Sequence, residues 1–168
     1  MRFRRPDGGV LEISPGAVRT LLSYRQVGWL SLEAGGVLLG RHLIGGADVV
    51  VDSATAPGAK DRRARFWFHR ARRPAQEAVD RAWRESKGVV NYLGDWHTHP
   101  ERVPSPSCVD RRDWRKVARR TKVEAEFLFF VIVGTEAVRV WQVDRAGSEI
   151  EALEALDAPP GSSQPAEG

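Results

Sequence analysis

The stretch "GDWHTHPERVPSPSCVD" (94–110) decides how this chain is read. Two of the four histidines, His97 and His99, stand here one residue apart. The run that carries them, residues 89–99, is strand-like. Side chains on a strand alternate faces, so the two imidazoles point the same way, roughly 7 Å apart along the strand, and Thr98 faces away. A proline-rich loop follows, then Ser107 and Asp110 at the head of a helical pattern running to about Thr121.

Asp110 cannot share the histidine strand, but the loop can fold back and present it from the first turn of the helix. Two imidazoles, one carboxylate and an open position describe a catalytic zinc site, because structural sites close all four positions with protein ligands. Other first-row metals accept the same donors. A plainer reading stands beside this one. Ser107-x-x-Asp110 is the pattern of a capping box, and His-x-His in a half-buried strand also describes two hydrogen-bonded core histidines. The two readings meet at Ser107, which as an N-cap would be aimed at the ion.

A metal hydrolase also needs a group that accepts a proton from water. Glu33, in "SLEAGGVLLG" (31–40), is the candidate. It abuts an apolar strand, and Gly35-Gly36 permit close backbone approach. Glu101 is the weaker alternative, since it lies in the exposed loop after Pro100.

Working outward, "VLEIS" (10–14) reads as a strand. Ser14 and Pro15 cap a helix reaching about Val27, with Val18, Leu21 and Leu22 as its apolar stripe. Residues 35–44 and 47–55 form a hairpin turned by Gly45-Gly46. Residues 55–65 read as a polar loop and 65–69 as an aromatic strand. Ala75, Ala78, Val79, Ala82 and Trp83 mark a helix over about 74–87, ended by Lys87-Gly88. "FLFFVIVG" (127–134) is apolar throughout, as expected of a central strand covered on both faces, and 137–143 makes a hairpin with it. Hairpins mixed with helix-linked strands favour an α+β class. Residues 1–156 are read as a single domain and 157–168 as a disordered tail rich in Pro, Gly and Ser.

With five positions at fixed spacing, the chain resembles the JAMM (MPN+, Mov34/PAD-type) metalloproteases. These are Glu33, His97-x-His99-Pro100, Ser107 and Asp110. The contexts of Glu33 and of the histidine motif are similar to the prokaryotic JAB branch, and especially to JAB peptidases of CBASS antiphage operons. The likeness runs from about residue 10 to 145. It implies a cytidine-deaminase-like fold with a mixed curved sheet flanked by helices, and one zinc per chain held by His97, His99 and Asp110. By the same resemblance Glu33 moves the proton and Ser107 donates to the oxyanion. The bond cut is the one after the C-terminal glycine of a ubiquitin-like modifier, and the conjugate partner is a CBASS nucleotidyltransferase. Two alternatives stay open: a JAB peptidase trimming a sulfur-carrier protein, and a catalytically silent MPN scaffold, although silent members lose motif residues that are present here. Residues 120–126 leave little room for the insertion found in members that select polyubiquitin linkages.

Composition narrows the setting. The chain has 168 residues, 42% hydrophobic and 29% charged, with a net charge of +4 and pI near 9.7. Its arginines are spread along the chain and interleaved with acids, which argues against nucleic acid and leaves incidental basicity or a positive face for an acidic protein partner. No apolar run is long enough to span a bilayer. A single cysteine, Cys108, allows no internal disulfide and fits a reducing cytoplasm. Cys108 reads as a small buried residue of the first helical turn. Of the six tryptophans, Trp83 and Trp114 read as core, Trp96 as packing behind the site, and Trp29 and Trp67 as core rather than groove.

Overall fold

The computed structural model describes residues 1–157, so the tail assigned to 157–168 lies outside the described residues apart from Asp157. Along the chain run β1 (Arg2–Arg4), β2 (Val10–Ile13), α1 (Pro15–Ser23), β3 (Gly35–His42) and β4 (Val49–Ala54). Next come β5 (Arg62–Ala64), β6 (Trp67–His69), α2 (Arg72–Glu85), β7 (Asn91–Thr98) and α3 (Cys108–Arg120). The chain continues with β8 (Phe127–Val133), β9 (Val138–Asp144), β10 (Ile150–Ala152) and β11 (Glu154–Ala155). Nine strands form one mixed sheet in the order β10-β9-β8-β7-β3-β4-β2-β1-β11, and β5 pairs with β6 separately. Among the described residues, β2/β4 and β7/β8 are the parallel pairs. The β7/β8 pair is joined by α3, the helical crossover that a parallel pair requires.

Helices cover both faces, giving the α+β arrangement expected. Strand β8 shows this residue by residue. Phe129, Val131 and Val133 pack in one apolar cluster with Ala17 and Leu21 of α1. Leu128, Phe130 and Ile132 pack in the other with Trp114 and Ala118 of α3, against which Ala75, Val79 and Ala82 of α2 also rest.

One irregularity controls which helices the site faces. Gly94 has φ +149°, and a Cβ there would lie 1.8 Å from the Phe129 carbonyl oxygen. The β3/β7 register slips at this point, with Leu38 opposite Gly94 but Leu39 opposite Tyr92. A one-residue bulge inverts the alternation that follows it. Leu93 and Trp96 therefore share the α1 side, and His97 falls on the side of α3, where its ring lies 6.5 Å from that of Trp114.

Several local expectations change. Helix α1 ends at Ser23, short of Val27, because Gln26 is drawn out of the helical path. Its Nε2 donates to the carbonyls of Ser31 (3.2 Å) and Arg65 (2.9 Å), and its Oε1 accepts from Thr98 Oγ1 (3.0 Å). Part of the loop expected over 55–65 is strand β5, which pairs with the aromatic strand β6. Its arginine-rich sequence carries no period-2 signal. Helix α2 buries no residue fully, and Trp83, expected in the core, is 51% exposed. Trp29 (81%) and Trp67 (47%) are also outside the core. Arg65 lies over the ring of Trp29 and Arg62 over that of Trp67. Cys108 is exposed rather than buried, because the first turn of α3 points its N1 side chain outward.

Candidate active site

His97 sits in the last turn of the pleat of β7 and His99 just past its end, where its backbone N–H donates to the Val133 carbonyl (2.9 Å). Their Nε2 atoms are 3.0 Å apart. Asp110 completes a triangle, with Oδ1 3.3 Å from His97 Nε2 and Oδ2 3.6 Å from His99 Nε2. Tetrahedral zinc with bonds near 2.0–2.1 Å separates its donors by about 3.3 Å, so the two Nε2 atoms and the Asp110 carboxylate fit such an ion. Two imidazoles and a carboxylate are also the right donor types.

The helix cap delivers Asp110. Ser107 is the N-cap of α3, and the capping box is complete in both directions. Ser107 N–H and Oγ–H donate to Asp110 Oδ2 at 2.7 and 2.6 Å, and Asp110 N–H donates back to Ser107 Oγ at 3.1 Å. The cap and the metal-facing arrangement are thus the same contacts. Burial pushes the Asp110 carboxyl up, but His97 and the Ser107 bonds outweigh it and hold the group well below the usual carboxylate range.

Glu33 arrives from the other side of the site through strand pairing. Gly35 lies opposite His97 in the β3/β7 ladder. One step on, Ala34 and Thr98 clasp each other: Thr98 N–H donates to the Ala34 carbonyl and Ala34 N–H to Thr98 Oγ1, both at 2.9 Å. Continuing that register sets Glu33 across from His99, and opposed residues of an antiparallel pair share a face. A Glu33 carboxylate oxygen lies within 4.8 Å of ring nitrogens of both histidines. The side chain is buried, with 7% exposure. Burial pushes its pKa up to about 7; His97 opposes the rise and Asp110 adds to it.

Two carboxylates thus face the imidazole pair, and either could ligate an ion. They differ in charge. Asp110 stays ionised, while Glu33 exchanges its proton near neutrality. Glu101, the other acidic group nearby, stands on the Nδ1 side of His99 at 3.9 Å, away from the donor triangle.

Two clusters beside the site escaped the sequence reading. The first is the buried chain Gln26–Thr98–Ala34 behind the histidines. The second is Asp95, on the histidine face of β7, which accepts from Tyr92 Oη (2.8 Å) and from Arg70 Nη2 (3.2 Å). Asp95 is two residues before His97, so strand alternation pointed to it. Nothing local pointed to Arg70, which is 25 residues away in the chain. The site opens into a groove of about 1260 Å³ between α2 and α3, lined among others by Phe68, Arg70, Val79, Trp83 and Val117.

With this geometry in hand, residues 16–144 match the family of prokaryotic homologs of the JAB domain. The chain belongs to that family. Among its relatives, a "CD-NTase/cGAS isopeptidase" from Vibrio cholerae is 42% identical over 79% of this chain and 81% of that protein. One of the same name from Pseudomonas aeruginosa is 33% identical over 82% of this chain and 85% of its own length. A "probable metalloprotease" of Sinorhizobium fredii is 36% identical over 58% of this chain and 59% of that protein. The solution structure of protein DSY2949 from Desulfitobacterium hafniense shares the fold, with a TM-score of 0.58 at 19% identity, covering 86% of this JAB domain chain and 90% of that one.

Proposed function

We propose that this JAMM-type hydrolase is a zinc-dependent isopeptidase that cuts after the C-terminal glycine of a ubiquitin-like modifier or modifier-like conjugate. The triangle formed by His97 Nε2, His99 Nε2 and Asp110, 3.0–3.6 Å on a side, carries the reading. These three residues hold the ion, and Asp110 is the carboxylate ligand because its oxygens stand 3.3 and 3.6 Å from the two Nε2 atoms. Zinc, when bound, supplies the Lewis acidity that activates water and polarises the scissile carbonyl.

The other roles belong to the chain's own groups. Glu33 accepts the proton of the attacking water and returns it to the departing amine. Burial, which raises its proton affinity, suits it to hold that proton between the two steps. Ser107 is the oxyanion donor. Its hydroxyl proton rests on Asp110 Oδ2, and turning it to the substrate still leaves Asp110 the bond from Ser107 N–H. One such donor is worth about 3 kcal/mol in the transition state.

The glycine specificity follows from the motif's resemblance. The names of the relatives support a conjugate of a CD-NTase-type nucleotidyltransferase over a sulfur-carrier protein as the substrate, and with it our reading of a cytoplasmic antiphage role. The purified protein is expected to contain about one zinc per chain, lost on His97→Ala, His99→Ala or Asp110→Ala. Glu33→Gln should retain zinc and lose cleavage of an isopeptide-linked modifier conjugate. A metal-free protein of unchanged stability rejects the metal site, and full activity in Glu33→Gln moves the proton role elsewhere.

A further inference from the structure

Glu101 is the one acidic side chain of the histidine loop that the proposed chemistry leaves without a task. Its place in the fold is specific. Glu101 Oε2 accepts from the Ser105 backbone N–H at 2.9 Å. The Glu101 carbonyl accepts from Thr135 N–H at 2.7 Å, and the next residue, Arg102, pairs with Glu136 at 2.6 Å. The carboxylate is therefore tied to the loop that leads into Ser107 and Asp110, although half of the side chain is exposed.

From that position its Oε2 stands 3.9 Å from His99 Nδ1. The opposite ring nitrogen of His99, Nε2, belongs to the donor triangle, 3.0 Å from His97 Nε2. A histidine that gives one nitrogen to a metal carries its proton on the other, and a carboxylate beside that proton fixes the tautomer and the ring orientation and raises the basicity of the ligand. At 3.9 Å the carboxylate stands just beyond hydrogen-bond reach of Nδ1, and a small rotation of the carboxylate closes the gap.

We propose that Glu101 is a positioning residue for the metal site, holding His99 with Nδ1–H outward and the Nε2 lone pair turned to the ion. This rests on the metal-site reading above. It takes Glu101 out of contention as the proton acceptor for water, because its carboxylate faces the wrong nitrogen of His99. It also couples two parts of the site, since the carboxylate that orients His99 simultaneously holds the loop that presents Asp110.

The test is the zinc affinity of the full chain, measured by chelator competition and compared among wild type, Glu101→Ala and Glu101→Gln. The visible spectrum of the cobalt-substituted proteins serves as a second readout. Outer-shell partners of this kind typically change metal affinity about 10–100-fold. Glu101→Ala should bind zinc weaker by about that factor, with an altered cobalt spectrum and a metal-free melting temperature lowered only slightly by the loss of the Ser105 bond. Glu101→Gln, which still offers an acceptor to Ser105 N–H and to His99, should recover part of the loss. Wild-type affinity in Glu101→Ala overturns the proposal, and so does an affinity loss matched by a fall in metal-free stability, which makes Glu101 a loop anchor only. If the wild type itself takes up no zinc, the metal-site reading fails instead, so the two failures are distinguishable.

Discussion

The buried carboxyl of Glu33 should make the metal-free protein less stable as the pH rises, and Glu33→Gln should remove that penalty. The magnitude follows from its proton affinity. Folding raises the pKa from the ordinary 4.5 to about 7 in a side chain only 7% exposed. Each tenfold change in proton affinity is worth about 1.4 kcal/mol, so the displacement corresponds to about 3 kcal/mol. The sign runs against folding at high pH. Between pH 4.5 and 7 the native state holds a proton that the unfolded chain has released, so stability is lost with rising pH across this window and levels off above it. The assay is urea unfolding of wild type and Glu33→Gln, both stripped of metal, from pH 4 to 8. The difference between them is the quantity of interest, because titrating groups away from the site cancel and any fixed offset from the amide is the same at every pH. Glu33→Gln should gain about 3 kcal/mol relative to wild type between pH 4 and pH 8. A saturating divalent cation should shrink that gain, since a nearby positive charge favours the ionised carboxylate. A difference that does not vary with pH would show that Glu33 titrates normally, and the argument for it as a proton carrier would fall with it.

Two further outcomes test the structure around this group. Ser107→Ala removes both the N-cap and the proposed oxyanion donor, and should cost about 1 kcal/mol of stability while lowering kcat by about 10²–10³. Ser107→Gly has no side-chain donor but is tolerated at an N-cap, so it should recover most of the stability, measured by thermal unfolding, without restoring turnover. Thr98→Val strips the partners from Ala34 N–H and Gln26 Oε1, both buried. It should destabilise the fold by about 2–4 kcal/mol in denaturant unfolding, and a loss below about 0.5 kcal/mol would show that the clasp behind the histidines carries no weight.

Local pattern alone determined a good deal. The capping box at Ser107 and Asp110, the Ser14-Pro15 start of α1, the Gly45-Gly46 hairpin and the two-sided burial of β8 all depend on residues a few positions apart. The spacing of the histidine motif likewise put two imidazoles on one face of a strand. Backbone propensity and side-chain periodicity act over that range, so such features can be read directly.

What only the tertiary structure decided depends on contacts between segments far apart in the chain. Glu33 comes within reach of the histidines because β3 pairs with β7 in one register, with Gly35 against His97. The side of the sheet on which His97 and His99 emerge is set by the bulge at Gly94, where only a glycine fits against the Phe129 carbonyl. Without it, simple alternation from Leu93 would turn the histidines toward α1, away from Asp110. The tryptophans teach the same lesson in reverse. Trp83 has helical core spacing, yet it lines the open groove beside the site instead of a closed core. Periodicity says which residues share a face, whereas the neighbour that covers the face is chosen by strand register and helix placement.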